Sequence, residues 1–160
     1  TCALPIFKLE ISNIDFVELV QQTTGEFEDR FAARHLELVN SLPNEVIMIE
    51  ADGRRLWRVL ENLYNNAFKY ALEHTRVYVA VEDLGSEVVF TIKNISSSPL
   101  NISPDELTER FVRGDVSRTT EGSGLGLSIA KDLTTLQGGS LELTIDGDLF
   151  KVSITFPIKN

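Results

Sequence analysis

Residues 53–73 read GRRLWRVLENLYNNAFKYALE, and the spacing of their apolar members decides the first layer of the fold. At about 100° per residue, Leu56, Val59, Leu60, Leu63, Ala67 and Ala71 fall within an arc of about 120°, the width of a core-facing helical stripe. Asp52 stands in front of this helix as its cap. Asn62, Asn66 and Lys69, at i, i+4 and i+7, form a second line beside the stripe, with Asn66 at its edge. Asparagine is a poor helix-interior residue, because its side chain competes for backbone hydrogen bonds. Its amide oxygen is a hard, neutral ligand that suits Mg²⁺, an ion that keeps few protein ligands and completes its octahedron with water and nucleotide phosphates. Lys69 would meet the same phosphates as a point charge. A solvated polar face is the other reading of this line.

Working outward, residues 76–83 (RVYVAVED) and 87–94 (EVVFTIKN) alternate strongly and are joined by Leu84-Gly85-Ser86, which predicts a β-hairpin. A second hairpin is expected from SLELTID and LFKVSITF around Gly147. Toward the N-terminus, FKLEIS (7–12) alternates and reads as a strand, followed by a helix capped by Asn13 with Phe16, Leu19 and Val20 on one face. Residues 35–39 and 45–49 read as a strand pair around Ser41-Leu42-Pro43-Asn44. The expected architecture is α+β, an antiparallel-rich sheet with three main helices on one face.

Residues 95–123 break the pattern with two prolines, many Ser and Thr, and one short helical stretch around PDELTERF. A loop of that length inside a compact domain is usually functional. The run Glu121-Gly122-Ser123-Gly124-Leu125-Gly126-Leu127-Ser128 then starts a third helix ending near Leu136. Glycines let a backbone approach a ligand closely, and the free N–H groups and dipole of a helix start favour phosphate. No GxxxxGK[ST] loop is present, and the run does not follow a strand as a dinucleotide fingerprint would.

The chain of 160 residues, 42% apolar and 24% charged, is long enough for one domain with a real core. It has no membrane-length apolar run and no signal-peptide layout. Because it opens at Thr1, we expect it to be cut from something longer. A single cysteine excludes an internal disulfide framework, and two histidines leave little for zinc. The net charge of −9 argues against a nucleic-acid surface. A phosphate ligand is still compatible with it, given a helix N-terminus and a few placed cations.

Taken together, NLYNNAFKY (62–70), ERFVRGD (109–115), GSGLGLSIAK (122–131) and LQGG (136–139) resemble, in order, the boxes of the ATP-binding catalytic domain of bacterial sensor histidine kinases, within the group that includes gyrase, Hsp90 and MutL ATPases. The resemblance implies a two-layer sandwich of a mixed, largely antiparallel sheet and three helices, filling 1–160 as a single domain with an ATP lid at about 95–123. It implies that Asn66 holds Mg²⁺, that Asn62 lines the phosphate region, that Lys69 contacts phosphates and that Tyr70 packs near the adenine. Gly122, Gly124, Leu125 and Gly126 would surround the triphosphate. Phe111 matches the lid phenylalanine, and Arg113 and Arg118 would reach the γ-phosphate.

Asn94 stands where the family has its adenine-reading Asp, and Ser96 and Ser98 replace the two glycines of that box. An amide can accept from the adenine amino group but lacks the carboxylate charge and adds donors. Asn62 stands where ATPases of the wider group carry a Glu base. Asparagine cannot take a proton from water, so a kinase fits better than a hydrolase. The implied cofactors are ATP and Mg²⁺. The implied partners are the parent's own dimerisation and phosphoacceptor hairpin and a response regulator, with no nucleic acid and no direct membrane contact.

That hairpin and the sensor regions are expected to be absent, leaving a monomeric cytoplasmic domain of a membrane-anchored parent. Neither His35 nor His74 sits in an acceptor motif. Both are expected to be structural, the first in a strand and the second at a helix end, so no autophosphorylation of the chain alone is expected. The alternatives are a serine protein kinase of the anti-sigma-factor type, disfavoured by Asn62, and an interaction module of the same fold with impaired nucleotide binding.

Overall fold

The computed structural model describes residues 8–98 and 123–159. In chain order they form β1 (Ser12–Asp15), α1 (Phe16–Ala33), β2 (Glu37–Ser41), β3 (Met48–Ala51), α2 (Gly53–Tyr70), β4 (Arg76–Asp83), β5 (Glu87–Ile95), α3 (Ser123–Leu136), β6 (Ser140–Asp146) and β7 (Leu149–Pro157). Five strands make one sheet in the order β2-β4-β5-β7-β6, and β1 and β3 make a separate ribbon. Only the β2–β4 pairing within the large sheet is parallel. This is the expected α+β sandwich with a mixed, mostly antiparallel sheet.

The strand alternation sorts the faces. Val77, Val79 and Val81 of β4, Val88, Phe90 and Ile92 of β5, and Val152, Ile154 and Phe156 of β7 are buried. Between them, Tyr78, Thr91, Lys93, Lys151 and Ser153 point the other way and stay partly or largely accessible. The helices close the apolar face with Phe16, Val20 and Phe31 of α1, Leu56, Leu60, Leu63 and Tyr64 of α2, and Leu127, Ala130 and Leu133 of α3. Tyr64 sits among the rings of Phe27 and Phe90 at 5.4 and 6.0 Å. Its hydroxyl shares a 2.6 Å hydrogen bond with Thr24 Oγ1, and burial pushes the phenol pKa up.

Several local expectations change. Asp15, not Asn13, caps α1, its carboxylate accepting from Glu18 N–H at 3.1 Å. Residues 8–11 form no strand. They are tied instead by side chains, with Glu10 N–H donating to Asp52 Oδ2 at 2.9 Å and Arg55 Nη2 to the Lys8 carbonyl at 3.4 Å. The alternation still has a cause, since Lys8 and Glu10 line a polar pocket with Arg54 and Arg58, whereas Leu9 and Ile11 line an apolar one with Leu136 and Ile158. Residue 7 lies outside the described part.

The strands read at 35–39 and 45–49 do not pair with each other. β2 takes β4 as its partner, Glu37 opposite Arg76, while β3 takes β1, Met48 opposite Asp15. His35 precedes β2 and has φ 57°. It closes α1 in the left-handed position after the cap, with His35 N–H bonded to Ala32 O and Leu36 N–H to Phe31 O, both at 2.9 Å. The His74 ring stacks on it at 4.9 Å, and His74 N–H donates to His35 O.

LQGG closes α3. Gly138 has φ 89°, and the N–H groups of Gly138 and Gly139 return to Thr135 and Thr134 carbonyls at 3.0 Å. Gln137 is buried and links this end to α2, accepting from Asp52 N–H at 2.8 Å while donating to Leu133 O. Asp52 caps α2 as expected, accepting from Arg55 N–H at 3.2 Å. Among the described residues no helix is long and apolar enough to cross a membrane.

Candidate functional site

The line Asn62, Asn66, Lys69 and Tyr70 lies along α2 on partly exposed positions beside its buried stripe. Asn62 is anchored across the gap to the next helix. Its Nδ2 donates to the Gly126 carbonyl at 3.3 Å, so two motifs 64 residues apart in sequence meet. At Gly126 a Cβ would stand 3.9 Å from Asn62 Cγ, an ordinary contact. The neighbouring Glu61 is exposed.

α3 begins at Ser123, within the glycine-rich run, so that Gly124, Leu125 and Gly126 lie inside its first turn. The first four N–H groups of a helix have no intrahelical acceptor and carry the positive end of its dipole. The glycines therefore belong to an anion-favouring helix start, and Asn62 buttresses that start from α2.

The far end of the line is fastened to the sheet. α2 ends at Tyr70, short of the expected Glu73, because Ala71 turns extended and bridges to Ser96. Ser97 N–H donates to Tyr70 O at 2.9 Å, and Leu72 N–H to Ile95 O at 2.8 Å. Arg34 satisfies the carbonyls left at this end, reaching Phe68 O and Ala71 O, with Glu73 beside it at 3.7 Å. Nothing in the sequence around Arg34 signals that role, since it depends on where α1 stops.

Asn94 is next to this junction, near the end of β5 and facing the helices. It is 3% exposed, and its Nδ2 has no hydrogen-bond acceptor among the described residues. Ser96, also buried, donates its N–H to Asp148 O and accepts from Ser98 N–H through its hydroxyl. The serine that replaces a glycine here thus shapes the backbone leaving β5. Phe111, Arg113, Arg118 and Gly122 lie outside the described residues, as does nearly all of the span read as a lid.

Residues 51–160 match the family described as "Histidine kinase-, DNA gyrase B-, and HSP90-like ATPase". The chain is 30% identical over 140 residues to the sensor histidine kinase WalK of Bacillus subtilis, covering 82% of this chain and 23% of that protein. The nucleotide-free catalytic domain of histidine kinase ThkA superposes with a TM-score of 0.79 at 25% identity, covering 93% of this chain and 96% of that one. The complex of ThkA with the response regulator protein TrrA matches with a TM-score of 0.72 at 25% identity, covering 94% and 42%. The chain spans about a quarter of the length of the curated relatives it matches.

Proposed function

The chain belongs to the histidine kinase-, DNA gyrase B- and HSP90-like ATPase family, and on that premise we propose that it is the catalytic domain of a sensor histidine kinase. It binds Mg-ATP and donates the γ-phosphoryl group to a histidine on a separate dimerisation domain, for relay to an aspartate of a response regulator. The parent protein would be membrane-anchored, with this domain on the cytoplasmic side. The observation that carries the reading is the Asn62–Gly126 hydrogen bond, which brings the asparagine line and the glycine-rich helix start together.

In this reading Asn62 holds the α3 start in place, and Gly122, Gly124, Leu125 and Gly126 offer backbone N–H groups to the phosphates. Lys69 adds a cation at the other end of the line, Tyr70 packs near the base and Asn94 reads it. The amide oxygen of Asn66, a hard neutral donor on the same line, suits Mg²⁺. Bound there, the ion would neutralise phosphate charge and orient the triphosphate. Arg113 and Arg118 would meet the γ-phosphate. The γ-phosphorus leaves the bridging oxygen of ADP as it bonds to the incoming histidine nitrogen, so the domain's task is positioning and charge stabilisation. Asn62 supplies no base for water, which disfavours simple hydrolysis.

Titration with a non-hydrolysable ATP analogue, with and without Mg²⁺, tests the proposal. Mg²⁺-dependent binding is expected, and Asn66→Ala is expected to weaken that dependence. Absence of binding would overturn the function; an unchanged Mg²⁺ profile in the variant would overturn the metal assignment.

A further inference from the structure

We propose that Asn94 broadens the base specificity of this site, so that the protein binds nucleoside triphosphates with a 6-oxopurine base, guanine or hypoxanthine, alongside ATP. The inference rests on the nucleotide reading above and concerns which base that site accepts.

Asn94 Nδ2 is a buried amide donor with no acceptor among the described residues. A buried donor left unpaired is unfavourable in the free protein, so a ligand that brings an acceptor to it gains from the match. Ser96 Oγ, two residues further along the same face, accepts from Ser98 N–H. No hydrogen bond made by Nδ2 holds the amide in one orientation.

The side-chain amide presents one acceptor and one NH₂ donor side by side. Adenine offers an amino donor at C6 next to the N1 acceptor. A 6-oxopurine offers the reverse, an O6 acceptor next to the N1–H donor. A half-turn about the last side-chain bond exchanges the two ends of the amide, so Asn94 pairs with either edge. With the base seated so that this side chain faces the C6 substituent, an ionised carboxylate accepts from the amino group of adenine and repels the O6 of a 6-oxopurine. In that position aspartate selects adenine, whereas asparagine does not.

The test is equilibrium binding of non-hydrolysable ATP, GTP and ITP analogues, with Mg²⁺, to the 160-residue chain and to Asn94→Asp. ITP carries the 6-oxo group without the 2-amino group of guanine, so it separates edge reading from exclusion of that amino group. We expect ITP to bind the native chain within about tenfold of ATP, and Asn94→Asp to weaken ITP by at least about tenfold while ATP binding is kept or tightened. Thermal unfolding of Asn94→Asp confirms that the buried substitution folds. If that variant does not fold, the native ATP-to-ITP ratio decides alone. ITP binding more than about tenfold weaker than ATP in the native chain, or an ATP-to-ITP ratio unchanged by Asn94→Asp, overturns the inference and leaves the ATP reading standing. If none of the three nucleotides binds, the nucleotide function itself falls, and the base assignment with it.

Discussion

The side-chain amide of Asn62 donates to the main-chain carbonyl of Gly126 at 3.3 Å, joining the middle of α2 to the first turn of α3. The contact leaves room for a methyl group, since a Cβ on Gly126 would meet Asn62 Cγ at 3.9 Å. Among the described residues, packing therefore does not require glycine there. Gly126→Ala is expected to be at least as stable as the native chain, by up to about 1 kcal/mol, because alanine favours a helix. The same methyl should hinder close approach of phosphate and weaken ATP-analogue binding by about tenfold, the worth of one hydrogen bond to a charged group. Urea unfolding and nucleotide titration on the same variant separate the two effects. A variant that loses stability and keeps its affinity would contradict the assignment.

Gly139 makes the opposite prediction. A Cβ there would stand 2.8 Å from Thr155 O and 2.9 Å from the Phe156 ring, and neither the β7 backbone nor a fully buried ring can step aside cheaply. Gly139→Ala is expected to lose about 1–3 kcal/mol in urea unfolding, as overpacking does. Loss of nucleotide affinity without loss of stability would reverse this reading of the LQGG motif.

Asp52 should make the fold sensitive to acid. Burial alone would raise its pKa, but the N–H groups of Glu10 and Arg55 and the Arg55 guanidinium outweigh burial and hold it below the ordinary carboxylate value. The depressed folded pKa means that its contribution is complete above the unfolded carboxylate pKa of about 4 and is lost as pH falls through the lower folded value. Asp52→Asn keeps the cap and should flatten the acid limb of stability against pH. Asp52→Ala should cost about 0.5–2 kcal/mol at neutral pH. Thermal melts across the acid range check both, and identical acid limbs for native and Asp52→Asn chains would exclude the effect.

Thr24 and Tyr64 form a buried polar pair at 2.6 Å within an aromatic cluster. Tyr64→Phe or Thr24→Val leaves the partner oxygen unsatisfied and should each lose about 1–3 kcal/mol. The double variant should recover part of that loss, because no orphan remains. A double-mutant cycle in urea measures the coupling, and strict additivity would show that the bond contributes nothing.

How much was legible in the chain follows from how local each signal is. The α2 stripe, the cap at Asp52 and the β4–β5 and β6–β7 hairpins all rest on spacing and short turns, and they appear as read. The asparagine line and the glycine run were visible as motifs for the same reason. The sequence by itself therefore determined the helix faces, the hairpins and the list of chemically unusual residues, because periodicity and burial act within one element.

Only the tertiary structure decided which elements meet. β2 pairs in parallel with β4, and β3 pairs antiparallel with β1, because strand partners are chosen by side-chain packing between distant segments, and no residue in either strand names its partner. The same non-locality placed Gly126 beside Asn62, Arg34 over the end of α2 and Gln137 against Asp52. It also left the Asn94 Nδ2 buried without an acceptor among the described residues, since a hydrogen-bond deficit exists only once the neighbouring elements are in place.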